Sequence, residues 1–274
     1  MAVINFTKYS GAGNDFIALN NMNGWLKEDG REKLIEEMCQ RRLAIGADGV
    51  IILEPSKTAD FRMRYYNSDG GEANCGNGAR CIAKFAYLEK VADKKMNFDT
   101  MSGIYQAEVK DDGNVIIDMT DPIDLRENVD IILDNFSTKS DFINTGVPHV
   151  VIEIDDIEMD GLVEIGRKIR YYEKFQPAGT NVDFIKVIDN HNILIRTYER
   201  GVEDETLACG TGSIASAVIS GLKGKVISPV NMKTRGGLIL KIYFQINDGK
   251  KITNVRLDGE ARPVFKGEYT IKDI

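Results

Sequence analysis

Apolar residues recur at strand spacing from the start of the chain. "AVINFTKYSG" at 2–11 and "DFIALNN" at 15–21 read as two partner strands around a glycine turn. The spacing then changes. In "REKLIEEMCQRR", residues 31–42, Leu34, Ile35 and Met38 fall on one face of a predicted helix, with Cys39 beside them as a buried structural thiol. "GADGVIILEP" returns to a glycine-bounded apolar strand, and "DFRMRYYNSDGGEANC" alternates up to its "SDGG" turn. A second helix starts near Cys75. Short strands follow around "KMNFDT", "GIYQAEVK" and "NVIIDM", the last two joined by the hairpin signal "DDGN" at 111–114.

From about Asp121 the pattern starts again. "DFINTGVPHVVIEI" echoes "NFTKYSGAGNDFIAL", "MDGLVEIGRKIRYYEKF" supplies the helix that corresponds to 31–42, and "NILIRTYERGVEDETLAC" corresponds to "DFRMRYYNSDGGEANC". Asp15 and His149 are 134 positions apart, and so are Cys75 and Cys209. Two similar halves are therefore predicted, 1–120 and 121–263, each sending one Cys-Gly-x-Gly into a helix start. Many short strands around few helices indicate an α+β organisation rather than regular βαβ units.

Composition adds bounds to this picture. At 274 residues the chain is long enough for two cores, and 43% hydrophobic with 28% charged residues is ordinary for a globular protein. A net charge of -7 gives no support to a nucleic-acid or anionic-membrane partner. There is no apolar run of about 18 residues, and "MAVINFTKYSGAGNDF" lacks a secretory pattern. The expectation is a cytoplasmic protein whose four cysteines, Cys39, Cys75, Cys81 and Cys209, are free thiols.

A cysteine at a helix N-terminus meets unpaired N–H groups and partial positive charge, both of which favour thiolate. The glycines beside it let backbone approach a bound anion, so "CGNG" and "CGTG" each offer a sulfur and an anion nest. Two such units acting on one α-carbon could invert it without a cofactor. One sulfur would take the α-hydrogen, the other would return a proton to the opposite face, and N–H donors would hold the developing charge. Other readings are weaker. A zinc site needs three or four ligands at short spacing, whereas Cys75 and Cys81 are six apart and His149 and His191 are isolated. The glycines match neither phosphate-loop pattern. A cysteine hydrolase built on Cys209 and His149 leaves Cys75 unexplained, while a non-catalytic or binding protein with both cysteines buried is the plain alternative that the pattern alone keeps open. Glu199 and Arg200 close an apolar strand and could take an ammonium and a carboxylate, or form a surface ion pair. Asn14, Asn67 and Asn181 lie in turns, where local backbone capping is the ordinary role.

The run of "GAGNDF", "GADG", "NSDGGEANCGNGARC", "TGVPH", "GTNVDF", "YERGVEDETLACGTG" and "GEARPVFKGE" resembles the diaminopimelate epimerase family over essentially the whole chain. The resemblance implies two pseudo-symmetric α/β domains, each a curled, mostly antiparallel sheet around a central helix. It implies an active site in the cleft between the domains, and a final segment, 264–274, that returns to the first domain. It makes Cys75 and Cys209 the acid/base residues and places the reacting carboxylate on backbone groups of Gly76, Asn77, Gly210 and Thr211. Asn14, Asn67, Asn181, Glu199 and Arg200 become substrate contacts, with His149 and Glu199 flanking the reacting centre. The implied reaction converts LL-2,6-diaminopimelate to the meso form, with no cofactor or metal, a small amino acid as the only ligand, and a homodimer by family analogy. Two departures bear on the substrate. Val147 stands where the family commonly has asparagine, and the loop from Asn67 to Cys75 is one residue shorter, with Gly71 at a position usually polar or larger. They keep open a second reading, a racemase of another amino acid such as histidine.

Overall fold

A computed structural model describes residues 2–271. Met1 and 272–274 lie outside the described residues, so the expected return of 264–274 is described as far as Ile271. The chain divides into two compact units, residues 1–117 with 259–274, and 118–258.

In the first unit, β1 (Ala2–Gly11) and β2 (Asn14–Asn20) form an antiparallel hairpin. Helix α1 (Arg31–Cys39) then leads to β3 (Gly49–Glu54), which pairs parallel with β2. Strand β4 (Phe61–Asn67) runs antiparallel to β3 and carries the two-residue β5 (Glu72–Ala73) on its end. Helix α2 (Gly76–Leu88) follows, and then β6 (Lys95–Thr100), β7 (Gly103–Val109) and β8 (Val115–Asp118). β6 pairs parallel with β4, and the last two add antiparallel.

The second unit repeats this order. It contains β9 (Ile123–Leu133), β10 (Phe136–Asn144), β11 (Pro148–Glu153) and α3 (Leu162–Arg170). Next come β12 (Asn181–Asp189), β13 (Asn192–Glu199), the short β14 (Asp204–Thr206) and α4 (Gly210–Leu222). β15 (Val230–Lys233), β16 (Ile239–Asn247) and β17 (Lys251–Gly259) complete it. Pairing runs β9–β10–β11–β12–β13–β15–β16–β17, with parallel steps at β11–β12 and β13–β15. These steps fall where β2–β3 and β4–β6 are parallel in the first unit. The place that β9 takes beside β10 is filled beside β1 by β18 (Arg262–Ile271), the end of the chain. The α+β expectation holds, as two copies of one mostly antiparallel topology.

Each sheet needs apolar cover on both faces, and two kinds of helix provide it. α1 packs Ile35 and Met38 against Ile17, Leu19, Val50 and Ile52 on one face, while α3 does the same with Leu162 and Ile169 against Val150, Ile152, Val182 and Phe184. The central helices are buried nearly all round. α4 buries Gly212 through Ser220 without a break and touches β10, β11, β12, β13, β15 and β16, and α2 touches strands around the first sheet in the same way. A helix with small or apolar residues on every face is suited to such a position.

Two helices are shorter than the sequence pattern suggests. The helix expected over 31–42 ends at Cys39, with Gln40 out of helical geometry (φ −60°, ψ 111°). Arg41 is drawn instead to Asp15 and Asp48, at 2.5 and 2.7 Å. The expected 159–175 helix begins after Gly161, whose φ of 81° suits a residue without Cβ, and stops at Arg170 before a separate 3-10 turn at Glu173–Phe175. No helix among the described residues is long and apolar enough to cross a membrane.

Candidate functional site

Both signature cysteines are N-cap residues. Cys75 precedes α2 with an extended backbone (φ −148°, ψ 112°), and its Sγ accepts the Gly78 N–H at 3.3 Å. Sulfur here replaces the side-chain oxygen that usually caps a helix. Cys209 precedes α4 in nearly the same conformation (φ −125°, ψ 114°), and its Sγ meets the Thr211 Oγ1 at 3.4 Å and is approached by the Gly212 N–H. Cys75 is half-buried and Cys209 buried, while Cys39 and Cys81 are enclosed in the core. Burial pushes the Cys39 thiol up to about 11 and raises Cys81 further still.

The expectation of a thiolate-favouring environment at both helix starts is corrected at Cys209. Its thiol is held well above the ordinary value, first by burial and then by the charges of Glu199 and Asp183, against which the Thr211 hydroxyl and the Gly212 N–H work. Removal from water and two nearby carboxylates outweigh the partial charge of one helix end.

On the first unit, α2 fixes a line of amides. Arg80, fully buried, donates to Asn77 Oδ1 at 2.8 Å; Asn77 Nδ2 donates to Asn14 Oδ1 at 2.7 Å; Asn14 Nδ2 donates to Asp48 Oδ2 at 3.1 Å. The side chains of Asn77 and Asn14 are thus engaged with each other, and Gly76 faces open space where a Cβ would meet nothing within 4 Å. Asn67, at the end of β4, is exposed.

On the second unit, His149 and Asp183 are wholly shielded from solvent. His149 Nδ1 lies 2.7 Å from Asp183 Oδ2, and its Nε2 lies 2.9 Å from Thr211 Oγ1 and 3.4 Å from Asn181 Nδ2. An amide NH₂ can only donate, so Nε2 is the accepting nitrogen and Nδ1 carries the hydrogen that Asp183 accepts. The result is a continuous line from the Cys209 thiol through Thr211 and His149 to Asp183, whose other oxygen accepts from Thr197 at 2.6 Å. Asn181 braces this arrangement. Its Oδ1 accepts the Arg200 N–H at 2.7 Å and its Nδ2 donates to the Pro148 carbonyl at 3.2 Å. Arg200 sends Nη1 to the Ala178 carbonyl at 3.1 Å, away from the ion pair with Glu199 that its sequence position allows. Burial raises the Glu199 carboxyl above its ordinary range, opposed by the Thr206 hydroxyl and His149.

Thus Cys75, Gly76, Asn77 and Asn14 come together in one unit, and Cys209, Gly210, Thr211, His149, Asn181, Glu199 and Arg200 in the other. Asp183 was missed by sequence reasoning. The signal available was a carboxylate in "GTNVDF", two residues after Asn181 and so on the same face of β12. Among the described residues no group of three or more His, Cys, Asp or Glu is placed to hold a metal ion.

A family model described as "Diaminopimelate epimerase" matches residues 6–124 and 142–261, one stretch for each half. The chain belongs to the diaminopimelate epimerase family. A relative from Aquifex aeolicus named "Diaminopimelate epimerase" is 39% identical over 97% of both chains. Another of that name, from Archaeoglobus fulgidus, is 42% identical over 99% of this chain and 98% of its own. The fold is shared beyond the diaminopimelate epimerases. The crystal structure of a phenazine biosynthesis protein of the PhzF family from Bacillus anthracis superposes with a TM-score of 0.77 at 16% identity, covering 99% of this chain and all of its own. As a member of this epimerase family the chain is an isomerase. The relatives' names do not favour the histidine racemase reading, so neither Val147 nor the shortened loop before Cys75 is taken to redirect the enzyme.

Proposed function

We propose that this chain converts LL-2,6-diaminopimelate to meso-diaminopimelate, the form used for lysine and cell-wall precursors, with Cys75 and Cys209 as its two acid/base groups and no cofactor. The observation that best supports the proposal is the duplication: each of two units of one topology delivers a cysteine to the N-cap of its central helix. A single buried thiol needs no second copy at the same topological point, whereas inversion at an α-carbon needs a base on one face and an acid on the other.

The chemistry balances within the two thiols. A thiolate takes the α-hydrogen, and the electron pair left on carbon spreads into the adjacent carboxylate. Backbone N–H groups of Gly76, Asn77, Gly210 and Thr211 are the donors for that charge, and their value lies in being fixed before it develops. The second thiol then gives its proton to the opposite face and becomes the thiolate. In this form Cys209 holds its proton, because burial and two carboxylates oppose its ionisation. Cys75, which is less buried than Cys209 and whose Sγ accepts the Gly78 N–H, is assigned the base. Asn14, Asn67, Asn181, Glu199 and Arg200 are read as contacts to the rest of the substrate. A cytoplasmic site of action and a homodimer belong to the same proposal.

The test is α-proton exchange in deuterated water with LL-diaminopimelate, followed by NMR and by chiral separation of products, with L-histidine in parallel. Meso product carrying one deuterium is expected. Turnover confined to histidine would overturn the substrate, and exchange without inversion would overturn the two-base step.

A further inference from the structure

Gly49 on β3 lies directly opposite Asn67 on β4 in the antiparallel ladder. A Cβ at Gly49 would sit 2.5 Å from Cε2 and 2.9 Å from the hydroxyl oxygen of Tyr65, and would overlap the Tyr66 carbonyl. The Tyr65 phenol therefore occupies the place a side chain at 49 would take, and only glycine leaves it room. Tyr65 and Asn67 are two apart on one strand and so share a face. From that position the Tyr65 hydroxyl donates to Asn67 Oδ1 at 2.9 Å.

Several features hold this phenol still. Its ring is buried and packs edge-on against Phe16 at 5.9 Å, and it lines the small cavity beside Cys75 with Met63, Ala73 and Tyr105. Burial, and after it the charge of Cys75, raises its pKa, so the O–H stays a donor at every working pH. The backbone of Asn67 is fixed as well, by its N–H to the Gly71 carbonyl at 2.9 Å and its carbonyl to the Gly70 N–H at 3.0 Å, both within the short loop that leads to Cys75.

A primary amide can present either end to a ligand, and one hydrogen bond to its oxygen decides which. We infer that Tyr65 is a positioning residue for substrate selection: by donating to Oδ1 it turns the Asn67 NH₂ outward, so that Asn67 reads an acceptor, the non-reacting carboxylate of the substrate. This rests on the reading of Asn67 as a contact to the far end of diaminopimelate. It gives Gly49, Tyr65 and Asn67 one function as a unit, the glycine making space for the phenol that orients the amide.

The test is steady-state kinetics of the full-length enzyme with LL-diaminopimelate for wild type, Tyr65→Phe, Asn67→Ala and the double variant. Phenylalanine keeps the ring packing and removes only the donor. For Tyr65→Phe the expected result is KM raised about fivefold to tenfold with kcat within about twofold, the pattern of a lost contact common to ground and transition states. In the Asn67→Ala background the same substitution should change KM by less than about twofold, because Tyr65 acts through the amide. An unchanged KM, a fall in kcat alone, or an undiminished effect without Asn67 would each overturn the inference while leaving the epimerase reading intact. No turnover of LL-diaminopimelate by the unmodified enzyme would overturn that reading, and this inference with it.

Discussion

Asp183 Oδ2 stands 2.7 Å from Nδ1 of His149, and both side chains are completely withdrawn from solvent. A buried carboxylate beside an imidazole fixes the tautomer and makes the opposite nitrogen a better acceptor. In this chain that nitrogen faces Thr211, which faces Cys209. Asp183→Asn preserves the shape: its oxygen can accept from His149 and its NH₂ can meet Thr197, whose hydroxyl turns to accept. Only the charge is lost. We expect kcat to fall by about 100-fold with KM little changed, on the scale of a general acid–base contribution. An unaltered kcat would show that the carboxylate has no part in moving the Cys209 proton.

The two thiols should fail in different ways. Cys75→Ala and Cys209→Ala should each lose inversion by at least about 1000-fold, since each removes one of two required proton carriers. Exchange of the α-proton from one isomer should survive in part, because it needs only one base. Deuterium incorporation separated from stereochemical outcome tells these apart. Full inversion by either variant would exclude the two-base mechanism.

The architecture was legible because the duplication is written in local pattern. The same turn, strand and Cys-Gly-x-Gly recur 134 residues apart, and α2 and α4 start and stop at that same offset. Helix ends were less legible. α1 stops at Cys39 because Arg41 is taken up by Asp15 and Asp48, a choice made by residues distant in sequence. The site was legible wherever a residue type announces its chemistry, as cysteine does before glycine. It was not legible in Asp183, an ordinary strand carboxylate until folding sets it against His149, nor in Tyr65, whose role depends on the glycine across the ladder. Local reasoning also misjudged Cys209. A helix start favours thiolate, but the surrounding carboxylates and burial come from β12 and β13, which the local sequence does not reveal.

That reversal makes a prediction about pH. The Cys209 thiol is raised in the folded protein, so between its unfolded value near 9.0 and its folded value the native state binds more protons than the unfolded chain. Stability linked to this thiol is fully present below about pH 9 and is lost as pH rises above it. Glu199 behaves alike from a lower starting point: its carboxyl is raised above 4.5, so its contribution declines as pH climbs from there through the raised value. Glu199→Gln should therefore be more stable than the parent near neutrality and equal to it at acid pH. Cys209→Ser should flatten the alkaline fall. Urea midpoints in buffers from pH 4 to 10, with reductant present, would check both, and parallel pH curves for parent and variants would exclude these groups as the cause.

The last prediction concerns Gly212, within the first turn of α4. In most helices replacing glycine by alanine gains about 0.5–1 kcal/mol, because the backbone has less freedom to lose. Here a Cβ would overlap Asp183 Oδ1 and come within 3.0 Å of its Cγ. The obstacle is a buried carboxylate held at one oxygen by Thr197 and at the other by His149, so it cannot swing aside without breaking one of them. Overpacking of that kind costs about 1–3 kcal/mol, to which a lost buried hydrogen bond adds about 1–3 kcal/mol. The clash should exceed the helical gain. Gly212→Ala is expected to lower stability by about 1–5 kcal/mol in urea unfolding and to lose activity at least as severely as Asp183→Asn. A more stable variant with full turnover would mean that Asp183 is free to move, and that its contact with His149 is not needed for the reaction.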